Sequence, residues 1–514
     1  MFRKFMTLAA VVTACAATPA EAAWHQATTK HFIIYSDERP ERLQAFAVKL
    51  EKFDAAVRTV RNMPDPPVGD GNRLTVFVLA NEAAVRKMMG DKTGFVSGYY
   101  HPSVSGPIAV VPRNTDAMSS DDMRAETVFF HEYAHHLMMQ SIDRPLPDWL
   151  IEGFAEFLST ARFPKDGTVV LGAAAIHRQW GLYERDDGLT LQQLLGSDYD
   201  KINESQRESI YALGWLLVHY LTFDPVRHGQ LAKYVDQIAA GSPPLDAAKA
   251  AFGDLRKLQS DALRYMGRAT LKALVVPPEQ LGNPSVAVSA LSPGASKMIL
   301  VHARTRNGVD DKEAAQVVAE ARAIAAQYPG DELVQAALAE AELDAGHAAE
   351  ARAAADRALA ANPRNTNAMV VKGRAVMDLA KDSPDGVKMF EEARRIFIAA
   401  NKVDTEDPDP LYNYYWSFIR EGRMPTANAI AALHYASDLV PQDHSLRINS
   451  AYVHLRKGEL ALAKRDLGPV AYDPHGGKAS TVAKAMIAEI QKGDAKAAMA
   501  AMKGSSNDDD DDED

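Results

Sequence analysis

Cysteine is almost absent: the only one in 514 residues is Cys15, near the start of the chain. A mature chain cut after that stretch has no thiol, which excludes disulfides and leaves any metal site to imidazole and carboxylate groups. Long apolar runs are missing too. Beyond the first residues nothing approaches the ~20 needed to span a bilayer as a helix, and no basic patch marks a nucleic-acid footprint. The formal charge of -11 belongs mainly to the end of the chain. Asp508 to Asp514 are seven consecutive acids, and without them 57 basic residues face 61 acidic ones, a charge of -4.

Arg3 and Lys4, the apolar run Leu8 to Ala17 and the small-residue site Ala20-Glu21-Ala22 form a secretory leader over residues 1–22. The expectation is export to the periplasm or the medium. Val12-Thr13-Ala14-Cys15 also fits a bacterial lipoprotein box, which would leave a lipid anchor on Cys15. Cleavage near Ala22 and lipidation at Cys15 both stand as readings of this segment.

The chemistry concentrates in Thr127 to Met139, TVFFHEYAHHLMM. As a helix it places His131 and His135 one turn apart on one face, where two imidazoles can close on one metal ion. A catalytic zinc usually takes three protein ligands and keeps a fourth position open. The segment Pro147 to Ser159, PDWLIEGFAEFLS, is apolar almost all round, yet carries Glu152 and Glu156 four residues apart. Two buried carboxylates need partners. A metal ion suits Glu152 as third ligand, and a metal-bound imidazole suits Glu156 as the acceptor that fixes its tautomer. Glu132 is then free to act as general base on water activated by Zn2+. The bland alternative makes both histidines core residues and pairs the glutamates with Arg124 or Arg162.

His131-Glu132-x-x-His135 followed by Trp-Leu-x-Glu-Gly-x-Ala-Glu resembles the gluzincin metallopeptidases, in which the glutamate before the glycine is the third zinc ligand. Here that residue is Glu152, 17 residues after His135, close to the spacing of the alanyl-aminopeptidase branch. Ile210 to Leu221, IYALGWLLVHYL, is similar to that branch's Tyr-x-x-Gly helix, whose tyrosine hydrogen-bonds the oxyanion. The resemblance gives that role to Tyr211; the residue alone reads as a core tyrosine. The Gly-x-Met-Glu-Asn stretch that holds a free amine in that branch has no counterpart before His131. The likeness is closer to bacterial "peptidase MA-like" proteins, which join such a domain to helical repeats, and it spans roughly Trp24 to Met266.

Residues 23–115 read as the strand-rich part of this domain, with strands at Lys30 to Tyr35, Leu74 to Leu79 and Ile108 to Val111 and a helix at Glu41 to Arg61. The resemblance would make the Ile108 strand an edge that pairs with an extended peptide; an ordinary core strand fits equally. Ser119 to Asp122 offer caps for the metal helix. Residues 116–270 read as the helical zinc-binding part, with His177, His219 and His228 given no ligand role, and 271–294, rich in proline, as a linker or a pair of short strands.

Prolines at 329, 363, 408, 441 and 474 are spaced by 34, 45, 33 and 33 residues, each after an alanine-rich helix. The tetratricopeptide period is ~34, so residues 295–495 read as such a solenoid, with an insertion near Lys381 to Gly386. Its concave face would hold a peptide or a partner protein, or the helices would simply cap the first domain. The aromatic cluster Tyr412, Tyr414, Tyr415 and Trp416 reads as core. The acidic tail, 504–514, cannot fold alone.

The expected fold class is thus an α+β gluzincin-type metallopeptidase domain followed by an all-α tetratricopeptide-like solenoid. The expected function is zinc-dependent cleavage of a peptide or protein substrate, or of another amide or ester. A periplasmic scaffold with an inactive or structural metal domain is the alternative from another class.

Overall fold

The computed structural model describes residues 23–88, 98–114, 125–140, 146–178, 182, 189–196, 204–473 and 475–504. The leader with Cys15, the expected caps Ser119 to Asp122, Arg124, Pro474 and residues 505–514 of the acidic tail lie outside them.

The chain is a mixed α+β region followed by an all-helical one. Its strands are β1 (His25–Thr28), β2 (Phe32–Ser36), β3 (Leu74–Asn81), β4 (Tyr99–His101), β5 (Ile108–Asn114), β6 (Val169–Leu171), β7 (Leu274–Val276) and β8 (Ala287–Ala290). Six of them form one sheet in the order β4-β5-β3-β2-β1-β8, with β2, β3 and β5 parallel and the outer pairings antiparallel. The proline-rich stretch 271–294 is therefore no linker. Its two strands close sheets begun far upstream, β7 on β6 and β8 on β1.

The side-chain period of two explains the layers. Phe32, Ile34, Val76, Val78, Ala109 and Val111 face α1 (Pro40–Arg61), an intervening short helix being α2 (Glu82–Met88), and face α3 (Ala125–Met139) in the main core. Tyr35, Phe77, Ile108 and Val110 face the other way. That second face is covered by Ile299 and Ala303 from the first helix of the C-terminal region, so the two halves of the chain share a core. Of the two readings of the Ile108 strand the interior one holds: β5 lies between β3 and β4, and among the described residues the sheet ends on β4.

Then come α4 (Asp148–Ser159), which packs on α3, α5 (Leu191–Gly196), α6 (Glu204–Phe223), which packs on α4, and α7 (Gln230–Ala239), α8 (Pro244–Phe252) and α9 (Leu255–Met266), which pack on α6 and on one another. The helical region then runs through α10 (Pro293–Asn307), α11 (Asp311–Gln327), α12 (Glu332–Asp344), α13 (Ala348–Ala361), α14 (Thr366–Ala380), α15 (Gly386–Val403), α16 (Pro408–Arg420), α17 (Ala427–Leu439), α18 (His444–Arg456), α19 (Leu460–Ala471), α20 (Gly477–Gln491) and α21 (Ala495–Gly504). Each of these packs chiefly on its neighbours in the chain, as in a helical repeat.

The proline period marks helix starts. Asp331, Asn365 and Asp443, each two residues after a proline, cap α12, α14 and α18 with side-chain oxygens, and Pro408 opens α16 behind Asp407. The 45-residue interval holds no inserted loop alone. Its extra residues also lengthen α14 and α15 to 15 and 18, against 13 and 14 in α12 and α13. The aromatic cluster divides: Tyr415 is buried in the repeat core, while Tyr412 is only partly covered. Among the described residues no helix is long and apolar enough to cross a membrane.

Candidate metal centre

Helix α3 is buried nearly all round, and its inward face meets α4. On its other side α4 meets α6, and glycine lets those two approach closely. A Cβ added at Gly153 on α4 would stand 2.6 Å from the carbonyl oxygen of Gly214 on α6, so backbone touches backbone at this crossing. Each glycine is tied to a site residue, Gly153 following Glu152 and Gly214 lying one turn after Tyr211. Gly153→Ala is expected to cost about 1–3 kcal/mol by overpacking, read as a lower urea midpoint; an unchanged midpoint would show that the crossing can give way.

This crossing and the packing of α3 on α4 bring the six predicted residues into one neighbourhood. His131 Nε2 and His135 Nε2 are 3.1 Å apart, and Oε2 of Glu152 lies 3.2 Å from the first and 3.4 Å from the second. The imidazole planes are 77° apart, so their in-plane lone pairs can converge. Glu152 is fully buried, and among the described residues its oxygens make no hydrogen bond of good geometry, only ion-pair contacts with imidazoles. Glu156 Oε1 stands 3.2 Å from His131 Nδ1, on the ring edge away from the triangle. Glu156 does pair with an arginine, but with Arg178, at 2.6 Å, while Arg162 bridges Val170 through its backbone. His177, given no role from sequence, also reaches Glu156, at 3.2 Å.

The triangle can be tested against a metal. Tetrahedral ligands at ~2.0–2.1 Å from zinc stand about 3.3 Å from one another. The observed edges of 3.1, 3.2 and 3.4 Å fit that separation, and two nitrogens with one oxygen are a zinc donor set. Electrostatics points the same way. Burial works against charge on His131, yet Glu152 and Glu156 together hold its pKa up at about 10. Burial likewise opposes ionisation of Glu152, and His135 and His475 overcome it, holding the carboxyl well below its usual range. The two buried carboxylates thus draw positive charge to this point, where a proton on His131 and a metal ion would compete.

Two other trios among the described residues bring potential ligand atoms within 4.8 Å, and neither fits as well. The rings of His434 and His454 are stacked at 4.1 Å and 15°, so their lone pairs run side by side instead of meeting, and Asp466 is already paired with Arg465 at 2.9 Å. Around His31, Asp54 is taken by Arg58 at 2.8 Å and His31 itself by Glu51 at 2.8 Å.

Glu132 and His135 open onto a cavity of about 680 Å³. Strand β4 forms one wall with Tyr99, Tyr100 and His101, and the repeats form another with Tyr412, His444 and His475. The neighbouring His136 is committed elsewhere, to Tyr100 at 2.7 Å and Gln140 at 3.0 Å, which ties β4 to α3. A second cavity of about 390 Å³ shares His101, Ser103, Val104 and Tyr412 with the first and extends along the repeats. Tyr211 packs its ring against His131, centroids 5.8 Å apart, beneath the guanidinium of Arg178 at 4.6 Å. It is not among the residues lining the 680 Å³ cavity.

Three site neighbours were illegible from sequence. Arg178 and His177 sit in a connection without periodicity, and His475 lies 323 positions beyond Glu152 in an inter-helix turn. A charged residue fully buried on an apolar helix was the only signal, and it asked for a partner without naming one.

A family model described as "Protein of unknown function (DUF1570)" matches residues 124–246. The matched stretch carries His131, Glu132, His135, Glu152, Glu156 and Tyr211, and stops short of the repeats. No curated protein matches the chain.

Proposed function

We propose that this chain is a zinc-dependent hydrolase of gluzincin type that cleaves polypeptide substrates, with a tetratricopeptide-like region walling its substrate cavity. The observation that carries the reading is the triangle of His131 Nε2, His135 Nε2 and Glu152 Oε2, beside a cavity into which Glu132 opens. A zinc ion held there would polarise a carbonyl and make water more acidic.

The protein's own part can be assigned by position. Glu132 follows a ligand on α3 but faces the cavity, where its carboxylate can take a proton from water and return it to the leaving amine. Glu156, held by Arg178, fixes which nitrogen of His131 carries the proton and turns Nε2 toward the metal. Strand β4 ends the sheet beside Glu132, and an extended peptide adding to that edge would lie across the centre. This favours a polypeptide over a small amide or ester, because the cavity adjoins a second one lined by the repeats.

The oxyanion donor is assigned to Tyr211 through the resemblance, supported by its contact with the His131 ring. Tyr211→Phe is expected to lower turnover by about 10²–10³ with zinc content unchanged. Full activity in that variant removes Tyr211 from the chemistry. We also read residues 1–22 as an export leader, so the natural setting is the periplasm or medium, where a chain with no thiol is at home.

The test of the function is cleavage of a mixed peptide library by the zinc-loaded chain. Products that disappear on chelation and return with zinc support the hydrolase; zinc bound without any cleavage favours the scaffold alternative.

A further inference from the structure

Glu152 uses its two oxygens differently. Oε2 closes the triangle with the two Nε2 atoms, while Oε1 faces a residue from the far end of the chain, with His475 Nε2 3.1 Å away. The His475 ring stands perpendicular to that of His135, centroids 5.3 Å apart.

The segment that carries His475 is anchored by the residues just before it. Tyr472 packs against the core of the α+β region and against the core of the last helices at once. Asp473 pairs with His444 at 2.8 Å. Gly477, in the left-handed region at φ 51°, lets the chain turn back into α20 directly after the histidine. The imidazole is therefore delivered to Glu152 by a built turn, although its own side chain remains 49% exposed.

We propose that His475 is a positioning residue for the metal centre, supplied in cis by the helical repeat region: by occupying Oε1 it holds the Glu152 carboxylate in the orientation that presents Oε2 to the metal. The inference rests on the reading of His131, His135 and Glu152 as ligands. It makes the repeats a part of the centre and not only a surface beside it. A carboxylate ligand free to rotate samples orientations in which neither oxygen meets the triangle. Groups that orient a ligand in this way typically account for 10- to 100-fold in metal affinity.

The test is zinc affinity of the full-length chain by competition with a chromophoric chelator, for wild type, His475→Ala and His475→Gln, with circular dichroism as the control for folding. The expected result is one zinc per chain in wild type, affinity weakened 10- to 100-fold in His475→Ala, and most of that loss recovered in His475→Gln, whose amide can donate to Oε1. Equal affinity in all three overturns the proposal, and so does a glutamine variant as weak as alanine, since the donor would then play no part. A wild type that binds no zinc refutes the metal-site reading itself and is distinguishable from either of these.

Discussion

Glu132→Gln is expected to lower turnover by about 10²–10⁴ and to leave zinc content and fold unchanged. The substitution keeps size and shape and removes only the capacity to accept a proton. Glu132 belongs to neither the ligand triangle nor the core: it is partly exposed and lines the cavity, so no buried partner is lost. The separation between chemistry and binding is what makes the variant informative. Single-turnover cleavage of a peptide substrate, beside elemental analysis of the same sample, reads both. Undiminished cleavage by a glutamine variant that holds zinc would take the base away from this position.

Glu152→Gln is expected to act in the opposite way, on the metal first. The amide cannot supply a charged oxygen donor, and it leaves two imidazoles that bind zinc weakly alone. Zinc at a thousandfold excess over its dissociation constant should stabilise the wild type by about 4 kcal/mol. That stabilisation should vanish in the variant. The metal-free proteins should differ much less, because Glu152 without a cation is a buried charge held only by histidines, and neutralising such a charge need not destabilise. Thermal melts of both proteins with and without zinc measure the four states. Equal zinc-dependent gains would mean that the third donor lies elsewhere.

The two helices of the site were legible in the sequence because their signals are local. An i, i+4 pair of histidines and an i, i+4 pair of glutamates on apolar helices state which faces must meet, and the structure brings those faces together where α3 packs on α4. The proline period likewise marks where repeat helices end, as at Pro329, although the caps that follow, such as Asp331, are not read from it. What escaped depends on distant chain segments. A pair of short strands is one of the two readings of 271–294, but nothing near Ala287 to Ala290 names residues 25–28 as the partner on which a strand closes the sheet. The edge position of β4 is a property of the assembled sheet. Arg178 and His475 answer the charge of Glu156 and Glu152, but a buried carboxylate specifies only the sign of its partner.

The same distinction separates the catalytic assignments. Glu132 and the ligand residues stand on observed distances or on a place in the cavity wall, whereas Tyr211 stands on a motif and a ring contact with His131. The repeats, expected either to hold a partner or to cap the first domain, contribute Tyr412, His444 and His475 to the wall of the same cavity. On the proposed function, changes on the repeats should therefore alter activity as changes on α3 do.

The central claim is that His131, His135 and Glu152 hold one zinc ion. The most direct measurement is elemental analysis of the purified full-length protein after zinc loading and removal of free metal, beside a His131→Ala/His135→Ala double variant of confirmed fold. One zinc per chain in the wild type and none in the variant is the predicted result. Zinc retained by the variant, or absent from the wild type, would contradict the account.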